Sequence, residues 1–158
     1  MFMMFFDRLM AVSVLAALPL AAMAEELVLT VSHNGEKTSF SVSALEEIGV
    51  EEFETTTIWT EGVQTFTGVS LAAFLNEFGV TEGRIKATAI NDYAVEIPVE
   101  DAVEGGPIIA YRRNGENMSV RDKGPLWIVY PYDADPAYQT EVIYSRSIWQ
   151  LDRVELIE

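Results

Sequence analysis

Lys123-Gly124-Pro125-Leu126-Trp127-Ile128-Val129-Tyr130-Pro131, followed after an Asp/Tyr-rich loop by Tyr144-Ser145-Arg146-Ser147-Ile148-Trp149-Gln150-Leu151, is the stretch on which the reading of this chain turns. Leu126 to Tyr130 reads as a strand, an apolar run held between turn residues. Around it, aromatic faces and fixed cations stand close together in a chain of 158 residues that has no cysteine. That combination favours holding a flat polar ring over transforming one, since aromatic faces bind rings and fixed charges satisfy their edges.

Downstream, Ile148, Gln150, Asp152 and Val154 alternate with Trp149, Leu151 and Arg153, a pattern that predicts a sheet-closing strand through Ile157. Upstream, Ile108 to Tyr111 precedes an Asn114-Gly115 turn, and Arg84 to Ile90 and Tyr93 to Ile97 flank Asn91-Asp92, with one helical turn from Pro98 to Ala102. Gln64 to Val69 reads as a strand, after which Ser70 caps a helix with Leu71, Phe74, Leu75 and Phe78 at helical spacing and Gly79 as its stop. Glu51 to Trp59 is extended. Near the start, Leu27 to Val31 and Thr38 to Val42 flank Asn34-Gly35, a hairpin signal, and Ser43 with Glu46 forms a capping-box pattern for a short helix ended by Gly49. Many short strands with two or three short helices predict an α+β domain with a mixed sheet, spanning residues 25–158. No glycine-rich phosphate loop follows any strand, so dinucleotide and P-loop readings lose their motif.

Residues 1–24 read as a signal peptide, with Arg8 before an apolar run from Leu9 to Ala22 and a small-residue cleavage pattern at Ala22-Met23-Ala24. The run falls short of the roughly 20 residues that span a bilayer. Cleavage would leave Glu25 first and send the protein out of the cytoplasm. There it folds on packing alone, without disulfides. The formal net charge of -15 argues against nucleic acid and anionic membrane surfaces as partners. The cations cluster late: Lys37, Arg84 and Lys86 are the only ones between Glu25 and Ala110, whereas Arg112, Arg113, Arg121, Lys123, Arg146 and Arg153 follow. A basic region on an acidic body is either an anion-accepting pocket or charge balance for neighbouring strands.

Catalytic constellations are scarce. The single histidine, His33, sits beside the Asn34-Gly35 turn, where an exposed turn residue explains it. One histidine and no cysteine exclude a structural zinc site, and no EF-hand spacing is present. What remains is recognition by stacking and hydrogen bonds, with no catalytic residue and no metal ligand assigned. Asn91, Asp92, Tyr93, Tyr130, Tyr132, Tyr144, Arg146 and Trp149 are the residue types for it. Asp92 can accept two hydrogen bonds from an amino-pyrimidinone edge, and Arg146 can donate to a ring carbonyl. Equally, Tyr130 and Trp149 can be core, Arg146 can pair with Asp133 or Glu141, and Asn91-Asp92 can simply shape a turn. Trp59, a large aromatic just before Gly62, is either a pocket lid, a partner hot spot or a buried anchor.

Phe66-Thr67-Gly68-Val69-Ser70-Leu71, Ala89-Ile90-Asn91-Asp92-Tyr93 with Ile97-Pro98, Ala110-Tyr111-Arg112 with Gly115, Lys123-Gly124-Pro125-Leu126 and Val129-Tyr130-Pro131 together resemble the oxidoreductase molybdopterin-binding domain, the sulfite-oxidase fold. In catalytic members of that family a cysteine thiolate ligates molybdenum and basic residues hold the pterin phosphate. This chain departs there, having no cysteine. The Tyr144 to Leu151 ending looks like a smaller exported branch that includes periplasmic pterin-binding regulators. The resemblance implies a non-enzymatic sensor that holds a reduced pterin, for example tetrahydromonapterin, without molybdenum. Its partner would be the periplasmic domain of an inner-membrane enzyme that makes or degrades cyclic di-GMP, with an effect on biofilm formation. The ligand contacts it implies are Trp59, Asn91, Asp92, Tyr93, Arg121, Lys123, Tyr132, Tyr144, Arg146 and Trp149. Two alternatives stand beside it: a molybdenum-cofactor oxidoreductase with a degenerate metal site, and a ligand-independent interaction module.

Overall fold

Two Asn-Gly pairs set two of the hairpins, one at Asn34-Gly35 and one further along the chain at Asn114-Gly115. The computed structural model describes residues 23–158, so the segment read as a signal peptide lies, up to Ala22, outside the described residues. β1 (Leu27–His33) and β2 (Glu36–Ser41) join through Asn34 and Gly35 at φ 51° and 80°. Left-handed backbone at both turn positions is what a two-residue hairpin requires, and asparagine and glycine tolerate it best. β2 runs directly into α1 (Val42–Ile48). The cap of that helix is Ser41 and not Ser43: the Ser41 hydroxyl accepts the Ala44 N–H at 3.2 Å. Both serine hydroxyls donate to the Glu25 carboxylate, holding it below its ordinary pKa. The helix starts two residues early because Ser41 is already in the extended conformation a cap needs.

β3 (Glu51–Thr55) and β4 (Gln64–Ser70) pair antiparallel, and Ser70 caps α2 (Leu71–Glu77) by accepting the Ala73 N–H at 3.0 Å. Leu71, Phe74 and Leu75 are buried, as the helical spacing predicts. β5 (Arg84–Ala89) and β6 (Ala94–Pro98) follow, then β7 (Ile108–Arg113), the two-residue β8 (Glu116–Asn117), β9 (Leu126–Val129), α3 (Glu141–Arg146) and β10 (Trp149–Ile157). The ten strands among the described residues form one mixed sheet whose main path runs β2-β1-β10-β9-β7-β4-β3, with β5 and β6 branching from β10. This is the α+β, sulfite-oxidase-type architecture read from the sequence.

β10 is the hub. It pairs parallel with β1, antiparallel with β5, and through Trp149 and Leu151 with β9. Its simple alternation does not survive: Gln150 takes φ 52°, the register shifts on both flanks, and Leu151, Val154 and Leu156 are the buried positions. An irregularity of this kind flips the phase of a strand and increases its local twist. Gly68 answers a second register shift. A Cβ there would collide with the Ile109 carbonyl of β7, so only glycine lets the two strands approach.

Trp127, Tyr111, Tyr130, Phe66 and Phe74 are fully buried and anchor the core between the sheet and its helices. Tyr130 is therefore a core residue. Its hydroxyl donates to the Asp101 carboxylate at 2.7 Å, which satisfies it in the interior.

Candidate functional site

Where β10 leaves α3, aromatic residues of five segments converge. The Trp59 ring stands edge-to-face against Trp149 at 5.4 Å, Tyr144 at 5.7 Å, Trp127 at 5.9 Å and Tyr132 at 6.1 Å between centroids. Such pairs each add about 0.5–1.5 kcal/mol beyond the area they bury. Trp59 is thus an anchor as well as a wall.

Beside it opens a cleft of about 340 Å³, walled by Trp59, Trp149 and Tyr144 and floored by Ala89 and Ile148. The volume lies at the lower end of the roughly 300–1,000 Å³ of ligand pockets and suits one small ring system. Tyr93 stands at the rim and is 58% exposed. Asn91, Ser145, Ser147 and Gln150 supply the polar atoms. Several of these are already bound: Ser147 donates to the Ile143 carbonyl and accepts from Tyr132, and the Gln150 amide donates to the Val120 carbonyl. Asn91 uses its oxygen to accept the Tyr93 N–H, and its side-chain NH2 has no protein partner among the described residues. A ring entering the cleft meets aromatic faces with few free polar atoms.

Across Trp59 lies a second groove of about 380 Å³, bordered by Thr60, Glu61, Gln64 and Asp122 and carrying Arg113, Arg121 and Lys123. None of these three cations is in an ion pair among the described residues. Lys123 links the two spaces, with its Nζ 4.6 Å from the Trp149 ring centroid. Its backbone is left-handed at φ 74°, and its carbonyl accepts the Gln150 N–H at 3.0 Å. The Gln150 carbonyl accepts the Ile90 N–H at 2.9 Å, so the irregularity in β10 ties the basic groove to the cleft rim.

Trp59, Asn91, Tyr93, Tyr144 and Trp149 are therefore brought together at the aromatic cleft, while Arg121 and Lys123 face the adjoining groove. The other three expected contacts are elsewhere. Tyr132 lies behind Trp59, 2% exposed, and its hydroxyl donates to Ser147 at 2.6 Å; burial pushes its pKa up to about 12. Asp92 points out of the turn, its side chain 81% exposed, and accepts from Arg153 at 2.6 Å. A left-handed residue between Asn91 and Tyr93 sends its side chain away from theirs, which is why three consecutive candidates do not converge.

Arg146 likewise turns from the cleft. It pairs with neither Asp133 nor Glu141 but donates to Asp101 at 2.9 Å, beside the Tyr130 hydroxyl. Burial and that bonded carboxylate hold the Tyr130 pKa far above the phenol range. Residues two apart on a helix do not share a face, so Arg146 on α3 points away from Tyr144. Its role is to fasten the end of a six-residue helix too short to be stable alone.

Ser145, Ser147 and Gln150 as cleft residues and Asp101 as the partner of Arg146 were not expected from the sequence, and Arg113 was expected only as one cation of the late basic region. Only Arg113 had a readable signal. In Arg112-Arg113 on a strand, successive side chains point to opposite faces; Arg112 pairs with Glu46 and Arg113 faces the groove.

The chain has no thiol, and among the described residues no three histidine, aspartate or glutamate side chains gather as a ligand set. Residues 45–134 match the family model of the oxidoreductase molybdopterin binding domain. No curated protein matches the chain. The matched range includes Trp59, Asn91, Tyr93, Arg113, Arg121 and Lys123, whereas Tyr144 to Gln150, the opposite wall, lie beyond it.

Proposed function

The chain belongs to the oxidoreductase molybdopterin-binding domain family, and from that premise we propose that it is a pterin-binding protein that works without molybdenum. The observation that carries this reading is the juxtaposition at Trp59 of a ring-sized aromatic cleft and a groove with three cations that have no ion-pair partner among the described residues, in a chain with no thiol. The ring part of the family's cofactor fits these residues: Trp59, Trp149 and Tyr144 offer faces, Asn91 a free donor, and Arg113, Arg121 and Lys123 charge for an anionic substituent. The metal end does not fit. Its soft thiolate ligand has no counterpart, and the carboxylate, imidazole, hydroxyl and amide groups present are harder donors.

In this reading the protein is a periplasmic sensor of a reduced pterin such as tetrahydromonapterin. Its loaded form regulates an inner-membrane enzyme that makes or degrades cyclic di-GMP, and through it biofilm formation. Such a switch needs a partner whose affinity differs between loaded and empty forms. Family membership and the cleft support the ligand. The export reading of residues 1–24 and the resemblance of the 144–151 ending support the compartment and the partner.

Anaerobic calorimetric titration with reduced pterins tests the reading. Binding to the wild type, lost in Trp59→Ala, is expected; no heat with any reduced pterin overturns it. Elemental analysis of protein from its native host is the companion measurement, and stoichiometric molybdenum would replace the sensor with an oxidoreductase.

A further inference from the structure

Trp59 stands on a loop, Thr56 to Val63, that has neither strand nor helix to hold it. The backbone carrying the central ring of the cleft is fastened from outside, by a residue 77 positions away. The Asp133 carboxylate accepts the Thr56 N–H at 2.7 Å on Oδ2 and the Thr56 hydroxyl at 2.6 Å on Oδ1. The Asp133 N–H donates back to Thr55 Oγ1 at 3.1 Å. Hydrogen bonds to an ionised carboxylate are about twice as strong as neutral ones. From the clasp, order passes to Trp59 within three residues. Thr57 Oγ1 accepts the Trp59 N–H at 3.1 Å and shares a 2.7 Å hydrogen bond with the Thr60 hydroxyl.

Asp133 ends a four-residue segment whose members hold the cleft from behind. Tyr130 reaches Asp101, where Arg146 also binds, and Tyr132 reaches Ser147 at the end of α3. Asp133 secures the opposite wall and does not line the cleft. The two walls thus hang from one stretch of chain on two independent fastenings.

We propose that Asp133 is a positioning residue: acting through Thr56, it sets where the Trp59 ring stands, and so how tightly the cleft holds a flat ring. The affinity part rests on reading the cleft as a ring-binding site; the ring's position does not. Loss of either partner removes a charge-assisted hydrogen bond without touching a cleft residue.

The test uses the full chain with Asp133→Ala, Thr56→Val and Thr56→Ser, and tetrahydrobiopterin as the probe. Dissociation constants are measured under argon, and near-ultraviolet circular dichroism of the ligand-free proteins reports the tryptophan cluster. Asp133→Ala and Thr56→Val are each expected to weaken binding roughly tenfold and to change the tryptophan bands. The double variant should be little worse than either single one, since the two groups act as a unit. Thr56→Ser, which keeps the hydroxyl, should stay within about twofold of the wild type. Should Asp133→Ala fail to fold, Thr56→Val decides alone. Wild-type bands in a folded variant overturn the proposal, and so does Thr56→Ser behaving like Thr56→Val. If the probe does not bind the wild type, the ring-binding reading fails for it, and the dichroism arm still decides whether Asp133 positions Trp59.

Discussion

The two spaces that meet at Trp59 are built on opposite principles. In the aromatic cleft most polar atoms already have protein partners, so what it offers a guest is ring faces and shape. In the basic groove Arg113, Arg121 and Lys123 have no carboxylate partner among the described residues, whose other arginines are paired. One side selects by geometry, the other by charge. The contrast teaches that a ligand must satisfy both to use the site fully, and that salt separates their contributions. Salt weakens interactions between exposed charges, most of all beyond a Debye length of about 8–10 Å, and leaves stacking almost untouched.

The largest effect that bears on this contrast is expected at the shared wall. Trp59→Ala removes four edge-to-face contacts at once, each worth about 0.5–1.5 kcal/mol beyond the area it buries. Thermal unfolding should show the loss, and pterin binding should fall below detection; a stable variant with unchanged affinity would mean that the two spaces do not share a wall.

Next comes the fastening of α3. Asp101→Ala leaves Arg146 without its partner and the buried Tyr130 hydroxyl without an acceptor, a loss of about 1–3 kcal/mol by urea denaturation. Affinity should fall too, through the displaced Tyr144 wall. That would show the cleft to depend on a network it does not expose.

Lys123→Ala sharpens the comparison further. The ammonium over Trp149 is worth about 0.5–2 kcal/mol. The affinity loss should be several-fold for a phosphate-bearing pterin at low salt and should shrink as salt rises, whereas a neutral pterin should lose less. Equal losses for both ligands would erase the distinction between the groove and the cleft.

A smaller effect follows pH. Bonds from the Thr56 hydroxyl and N–H hold the Asp133 carboxyl below its ordinary value of 3.8. Its stabilisation is therefore complete above that value and is lost as pH falls through the depressed native value. An acid titration of the melting temperature should show this component in the wild type and lack it in Asp133→Asn. The smallest change is expected for Asp92→Ala, within about 0.5 kcal/mol of wild type and with unaltered pterin affinity, because the side chain faces solvent. A large affinity loss there would place the ligand outside the cleft described here.

Local signals were read well where they acted locally. Asn34-Gly35 and Asn114-Gly115 both form left-handed pairs, at φ 51° and 80° and at φ 52° and 80°, and Ser70 caps α2 as its position predicts. Such signals fail where a neighbour in space intervenes. Ser43 looked like a cap but binds Glu25, and β10 loses its alternation at Gln150, whose backbone is shared between Lys123 and Ile90. The site divides in the same way. Trp59, Trp149, Tyr144, Tyr93 and Asn91 were legible as residue types suited to a ring, but Arg146 and Asp92 are the same types and face elsewhere. Side-chain chemistry names candidates; it does not say which face of a short helix or which side of a turn they occupy.

By itself the sequence determined the turns, the strand-rich α+β order, the family frame and the absence of any thiolate, because each depends on composition or on contacts within a few residues. Only the tertiary structure decided that Trp59 stands between a cleft and a groove, that Arg146 belongs to Asp101 at 45 residues' separation, and that Asp133 holds Thr56 at 77. The reason is physical. A distant pair forms only after the sheet has brought its ends together, and which of several chemically equivalent partners arrives first within hydrogen-bond reach is a property of strand register and helix phase, not of the residues themselves.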